Sequence, residues 1–450
     1  MSAKIAFVGA GSVEFTGMLI NDILGYPELR DVTISLHDID QERLDTAEGV
    51  ARATASQLGA DPKIEAHLDR RAAFDGADYV INMIQVGGHE ATVIDHEIPA
   101  KYGLKQTIGD TLGVGGVFRT LRTIPVMQGI AADMAEMCPG AWLLNYTNPM
   151  AMLCQATYMG TPQKKIVGLC HSVQNTTQQM AELAGVPFEE VTFFGAGVNH
   201  QAFILRFERD GEDLYPLLDQ AIDRDPELKN RIRVDMYRRF GYFPTESSEH
   251  SSEYLPWYLK DQDQIDRFRL WVAEYVTRSE ENLDLYADTK ERLATGKPLD
   301  LESSDEYAPE IIHSIETGRP RVIYGNVRNE GLIDNLPADV CVEVPCVVDR
   351  SGVNPVHVGS LPPQLAALNR TFINVADLTV KAVLEGRPDY VRQAVMLDPN
   401  AAANLTIDAI WEMCDEMTRA HGDAIPESLR GPIGAARRDV PPAAQTNGRN

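Results

Sequence analysis

Lys4-Ile5-Ala6-Phe7-Val8-Gly9-Ala10-Gly11-Ser12 opens the chain with a short, continuously apolar run that ends in two closely spaced glycines. A strand buried on both faces has this texture. A loop of this kind turns tightly into a helix N-terminus, where Gly9 and Gly11 let a backbone approach a pyrophosphate and Ser12 leads into the helix. The third glycine of the full GxGxxG pattern is replaced by Glu14. Leu36-His37-Asp38-Ile39-Asp40 closes the next apolar run. It places Asp38 where a carboxylate accepts from adenosine ribose hydroxyls, which favours NAD over NADP, somewhat beyond the usual spacing of about 20 residues. A glycine turn in an ordinary α/β protein is the alternative; strand, loop and acidic residue together favour the dinucleotide.

Working outward, Val32–His37, Tyr79–Ile84, Trp142–Asn145, Ile166–Leu169 and Val191–Phe194 repeat the short apolar run, with amphipathic stretches such as Glu42–Leu58 and Arg119–Met137 between them. Buried strands alternating with helical periods predict an α/β fold, a Rossmann-type doubly wound sheet, over residues 1–195. Beyond that the texture changes. Leu214–Phe240 and Ile265–Leu293 read as long charged helices, Lys297–Tyr307 as a polar loop, Val340–Val348 as a buried strand, and Phe372–Leu384 and Pro388–Leu397 as helices. This predicts a mixed α+β substrate domain over 196–430 and an extended or disordered tail over 431–450.

The chain has 450 residues and a formal net charge of -25, a surface that repels nucleic acid and anionic lipid, so neither is an expected partner. No apolar stretch is long enough to span a membrane, and no secretory signal is visible. The six cysteines show no framework spacing, which fits reduced thiols in a cytoplasm; Cys341 and Cys346 read as small core hydrophobes.

Several segments carry chemistry. Gly168-Leu169-Cys170-His171-Ser172-Val173 and Gly197-Val198-Asn199-His200 each end an apolar strand with a metal-capable side chain. Taken singly, such a cysteine is more often core packing and such a histidine a structural one. Side by side at strand ends, Cys170 and His200 supply two ligands and leave positions open for substrate and water, the catalytic type of site. Two ligands do not fix the metal.

Gly87 lies in Gln85-Val86-Gly87-Gly88-His89-Glu90, which suits a loop against the cofactor or a plain turn. Asp110 lies in a glycine-dense segment and is placed to orient a sugar hydroxyl or the metal's water; Arg119 and Arg122, three apart, share a helix face. Asn148 precedes Pro149, which biases it away from helix and toward the crevice; its donor and acceptor suit a vicinal diol. A capping asparagine, a flexible loop and a solvated helix face are the bland alternatives. Gly241–Trp257 gathers Tyr242, Glu246, His250 and Tyr254, a mixture suited to sugar hydroxyls and proton transfer, or an exposed polar loop.

These motifs together resemble glycoside hydrolase family four, the NAD- and metal-dependent glycosidases, most of all its α-galactosidase branch. The resemblance spans nearly the whole chain. It rests on Gly-Ala-Gly-Ser at 9–12, Asp-Thr-Leu-Gly at 110–113, Arg-Thr-Leu-Arg-Thr-Ile-Pro at 119–125 and Asn-Pro-Met-Ala-Met at 148–152. Cys-His-Ser-Val at 170–173, Asn-His at 199–200, Thr-Glu-Ser-Ser-Glu-His at 245–250, Tyr-Gly-Asn-Val-Arg-Asn at 324–329 and Gly-Leu-Ile-Asp-Asn-Leu-Pro at 331–337 extend it.

The resemblance implies a lactate/malate dehydrogenase-like fold, Mn2+ or another divalent metal on Cys170 and His200, substrate on Asn148, and a homodimer or homotetramer. Cys-His-Ser-Val departs from the Cys-Asp-Met-Pro or Cys-Asn-Val-Pro of phosphosugar-cleaving members, which favours an unphosphorylated glycoside. It also puts His171 in the place of an acid aspartate, while Tyr242, Glu246 and Tyr254 stand as candidate bases. The implied route is hydride removal from C3 by NAD, loss of the C2 proton, departure of the aglycone from C1, water addition and hydride return. It stands outside two-carboxylate glycosidase chemistry. α-Glucosides, α-glucuronides and sulfoquinovosides are alternative substrates. A 2-hydroxy-acid dehydrogenase and a non-catalytic NAD-binding protein are alternative functions.

Overall fold

The computed structural model describes residues 2–300 and 303–431. All but the first residue of the expected 431–450 tail lies outside them. The strands are β1 (Lys4–Val8), β2 (Thr33–His37), β3 (Lys63–His67), β4 (Tyr79–Asn82), β5 (Trp142–Asn145), β6 (Ile166–Leu169), β7 (Thr192–Val198), β8 (Gln201–Arg209), β9 (Glu212–Asp213), β10 (Phe243–Pro244), β11 (Arg321–Arg328), β12 (Cys341–Asp349) and β13 (Gly352–Pro355). They form one sheet in the order β10-β8-β7-β12-β11-β6-β5-β4-β1-β2-β3, with β13 on β12 and β9 on β8.

The half from β6 to β3 is parallel. Helices cover its faces, so β1, β4, β5 and β6 are apolar almost throughout. β1 lies between β2 and β4, so the chain leaves it in opposite directions on its two sides. The crevice outside the carboxyl ends of β1 and β4 is thus a topological switch point, the usual ligand position in such sheets. From β6 outward the sheet turns antiparallel through β11, β12, β7 and β8. The expected boundary at 195/196 falls inside β7, and the sheet runs on across it.

Two long helices expected from sequence are broken. Leu214–Phe240 is two helices, Tyr215–Arg224 and Ile232–Phe240, interrupted around Pro226, which constrains the residue before it. Ile265–Leu293 breaks between helices Gln262–Phe268 and Glu274–Thr295, with Arg269 and Ala273 both at positive φ. A second, smaller apolar cluster around Phe203, Ile232, Leu255 and Phe268 packs under this region. All six cysteines are free and buried. Among the described residues, no helix is long and apolar enough to cross a membrane.

Candidate active site

The glycine loop has the geometry that its sequence demands. Gly9 has φ +82°, and a Cβ there would stand 3.1 Å from the backbone of Ile84. Its N–H and that of Ala10 donate to the His37 carbonyl at the end of β2. A Cβ on Gly11 would stand 2.6 Å from the Asp38 carboxylate, which accepts the Gly11 N–H at 2.8 Å. Arg43 closes the loop by donating to the Gly11 carbonyl at 3.0 Å. Ser12 is exposed just before helix Val13–Gly25, and so is Glu14, which occupies the missing glycine's place without a clash. These features fit a dinucleotide: bare backbone at a helix N-terminus and an acidic group at the end of the second strand. Gly87, at φ +86°, begins helix Gly88–Lys101, so the segment read as a loop is a helix start; His89 turns away to bond Ser279.

Past β6 the polar side chains converge, although β6 and β7 are not side by side as the sequence suggested: β11 and β12 lie between them, and β7 runs antiparallel to β6. Cys170 follows β6, and His200 occupies the two-residue turn between β7 and β8. Glu246 follows β10, which pairs with β8, so pairing far apart in sequence carries it to the other two. Glu246 Oε1 lies 3.6 Å from Cys170 Sγ and 3.6 Å from His200 Nε2, and the three donor atoms lie within 4.8 Å of one another. Asp110, His200 and His250 make a second such group. Glu246 and His250, expected to contact substrate, therefore stand among the cation-capable donors.

Thr111 settles the His200 tautomer. Its hydroxyl must donate to the Asp110 carboxylate (2.7 Å), so His200 Nδ1–H donates to Thr111 (2.8 Å). The Nε2 lone pair is then left facing Cys170 and Glu246, as a metal-ligating imidazole requires. Asn148 donates to Asp110 at 2.9 Å, while its own buried side-chain oxygen has no partner. Arg119 supports Asn148 from behind through the Asn148 carbonyl at 3.2 Å.

The electrostatics suit a cation. Burial pushes the Cys170 thiol well up, and the Glu246 and Glu343 carboxyls add to this. Burial also opposes ionisation of Glu246, but the imidazoles of His200, His250 and His171 outweigh it and hold the carboxyl at about 2. Burial lowers His200 and keeps it a neutral ligand. Burial opposes charge on His250 too, yet Glu246 and Asp110 outweigh it and raise the imidazole. Burial resists charge on Asp110, but His250, Arg119 and His200 hold it below the usual carboxylate range. Thiol, imidazole and carboxylate together are a donor set that fits a divalent metal of borderline softness.

His171, next to Cys170, is half exposed. Its Nδ1 lies 3.0 Å from Glu306, and that hydrogen bond raises the imidazole against the effect of burial. Tyr254 is buried with its ring 6.2 Å from that of His250, and burial drives its phenol well above the ordinary range. Tyr242 is half-buried and packs against the second apolar cluster. Glu306, Thr111 and Glu343 were not foreseen. Thr111 lay inside the Asp-Thr-Leu-Gly motif, and Glu343 left a trace as a lone carboxyl in an apolar strand.

A dinucleotide-type glycine loop and a three-donor group that could hold a cation are the features of an α/β enzyme. Residues 4–186 match the family described as Family 4 glycosyl hydrolase, and residues 195–401 match the Family 4 glycosyl hydrolase C-terminal domain. The chain is 42% identical over 429 residues to an alpha-galactosidase of Bacillus subtilis (strain 168), covering 94% of this chain and 99% of that protein. The solved structure of Bacillus subtilis lplD superposes with TM-score 0.84 at 25% identity, covering 92% of this chain and 99% of that one. A 6-phospho-alpha-glucosidase from gut microorganisms, solved in complex with NAD and Mn2+, has the same fold (TM-score 0.79, 22% identity, 95% and 100% covered). The chain belongs to family 4 of the glycosyl hydrolases.

Proposed function

We propose that this protein is an NAD- and Mn2+-dependent α-galactosidase acting on an unphosphorylated α-galactoside. The observation that carries this is the convergence of Cys170, His200 and Glu246 beside the crevice at the ends of β1 and β4. The alpha-galactosidase relative and the Cys170-His171-Ser172-Val173 segment support the sugar, and the NAD and Mn2+ in the gut-microbial relative support the cofactors.

When bound, NAD supplies a hydride acceptor and donor for sugar C3, and the metal supplies a Lewis acid for the neighbouring oxygens. Cys170, His200 and Glu246 hold the metal, with Thr111 fixing the His200 ring. Asn148 offers its unpartnered oxygen to a sugar hydroxyl, and Asp110 orients both Asn148 and His250. His171, whose imidazole is raised by its hydrogen bond to Glu306, gives its proton to the glycosidic oxygen as the C1–O bond breaks. Tyr254, with its ring 6.2 Å from that of His250, takes the C2 proton as base.

Hydrolysis of an α-galactoside in deuterium oxide, with NAD, Mn2+ and reductant present, tests the reading. Deuterium at C2 of the galactose and no net NADH are expected. Unlabelled product, or net NADH accumulation, overturns it. A parallel panel of α-glucoside, α-glucuronide and sulfoquinovoside tests the sugar.

A further inference from the structure

We propose that Asp95, Arg122 and His421 form a buried brace through which the C-terminal helix Ile407–His421 sets the cofactor-side loop Gln85–Gly88, and hence dinucleotide affinity. The proposal rests on the dinucleotide reading above. Arg122 lies on helix Gly113–Met137, one turn beyond Arg119. Arg119 faces the sugar side; Arg122 faces the crevice loop. Its Nε donates to the Val86 carbonyl at 3.0 Å. Its two terminal nitrogens grip the Asp95 carboxylate at 3.1 and 2.6 Å. Asp95 accepts a third bond from His421 Nε2 at 2.9 Å, and a carboxylate there requires the imidazole to donate. The side chains of Arg122, Asp95 and His421 are 0%, 3% and 2% exposed.

The loop held in this way lies at the proposed cofactor. Ile84, one residue before it, meets the Gly9 turn so closely that a Cβ on Gly9 would stand 3.1 Å from it. Gly87 passes over Arg122 at φ +86°, and a Cβ there would stand 3.6 Å from Arg122 Nε. A displaced guanidinium would therefore move the Val86 carbonyl and the Gly87 turn together. His421 ends the C-terminal helix and stacks on Phe118 of the helix that carries Arg122, ring centroids 5.9 Å apart at 19°. Gln106 ties in the other side: it donates to the Asp95 carbonyl at 2.7 Å and accepts from Gly115 at 3.0 Å. Bidentate charge-assisted bonds in a dry setting hold geometry well, whereas loss of either charged partner strands the other. His421 is thus the member that can be altered while the Asp95–Arg122 pair survives.

His421→Leu is expected to weaken NAD binding to the metal-free and substrate-free protein about tenfold, measured by calorimetry, with Mn2+ affinity unchanged. His421→Gln, which keeps a donor near the same place, is expected to restore NAD binding to within about threefold. Hydrogen exchange on the wild-type protein gives a reading that needs no variant: adding NAD slows exchange at the end of helix Ile407–His421 as well as in the Gln85–Gly88 loop. Wild-type NAD affinity in His421→Leu overturns the brace, as do equal losses of NAD and Mn2+ binding, failure of His421→Gln to restore binding, or unchanged exchange in the C-terminal helix. A wild-type protein that binds no NAD at all overturns the dinucleotide reading itself, and the brace with it.

Discussion

Glu343 lies on β12 with its side chain wholly buried between β7 and β11, and Asn199 and Asn326 each donate to its Oε1 at 3.4 Å. Burial pushes its carboxyl from 4.5 to about 8. At roughly 1.4 kcal/mol per pH unit this rise corresponds to ~5 kcal/mol of folding free energy, an upper figure for a site that can relax. Below pH 4.5 the folded and unfolded chains both carry the proton, and the contribution is fully present. Between 4.5 and about 8 only the folded chain keeps it, so stability falls as pH rises through that window. Glu343→Gln imitates the neutral acid and cannot ionise. Urea unfolding of both proteins in chelator at several pH values, taken as a difference, cancels the titrating groups that do not interact with Glu343. The difference is expected to move in favour of the glutamine by a few kcal/mol between pH 5 and 9 and to level off beyond about 8. A difference that stays constant across the range refutes the reasoning, since it means that the folded protein ionises Glu343 as readily as the unfolded chain does.

Glu246→Gln is expected to weaken Mn2+ binding by about 10–100-fold while NAD binding stays unchanged, both by calorimetry; equal Mn2+ affinity removes Glu246 from the donor set. His171→Asn is expected to cost about 10²–10⁴-fold in kcat on substrates with poor leaving alcohols and far less on a nitrophenyl galactoside; equal losses exclude His171 as the proton donor. Glu306→Gln removes the carboxylate charge that raises His171. The donor must be protonated to act, so the alkaline limb of kcat/KM moves to lower pH, and an unmoved limb counts against the pair. Gly11→Ala drives a Cβ to 2.6 Å from the Asp38 carboxylate and is expected to weaken NAD binding by at least tenfold, read by fluorescence titration.

The parallel half of the fold was legible because a strand buried on both faces leaves a continuous apolar run, as in β1, β4, β5 and β6. β3 left no such run: Lys63–His67 is the outermost strand, only half covered, and reads as polar. The charged helices of the second half were legible as helices but not in their breaks, since Arg269 and Ala273 adopt left-handed backbone without a glycine to announce it. Cys170 and His200 could be found because each directly ends a strand. Glu246 was visible as chemistry but not as their neighbour, because its approach depends on β10 pairing with β8. Glu306 lies in a polar stretch with no distinguishing neighbours, and only tertiary folding brings it to His171. Thr111 stood inside a recognised motif, yet its work is a hydrogen bond to a residue 89 positions away.

Backbone conformation connects these gaps. His200 and Glu246 are both non-glycine residues in the left-handed region, at φ +67° and +71°. Each such residue costs of order 1–3 kcal/mol and persists only where its surroundings over-determine it. The surroundings here are specific. Val198 and Gln201 pair across the His200 turn, Thr245 N–H donates to the Ala202 carbonyl at 2.9 Å just before Glu246, and Ser247 caps the helix that follows. Histidine tolerates this region better than glutamate does, so the strain concentrates at Glu246. In return the two side chains face Cys170, with Glu246 Oε1 3.6 Å from both Cys170 Sγ and His200 Nε2. The β7–β8 turn and the β10–β8 pairing thus hold His200 and Glu246 in place beside Cys170, and such preorganisation lets a site bind its metal without first ordering its ligands.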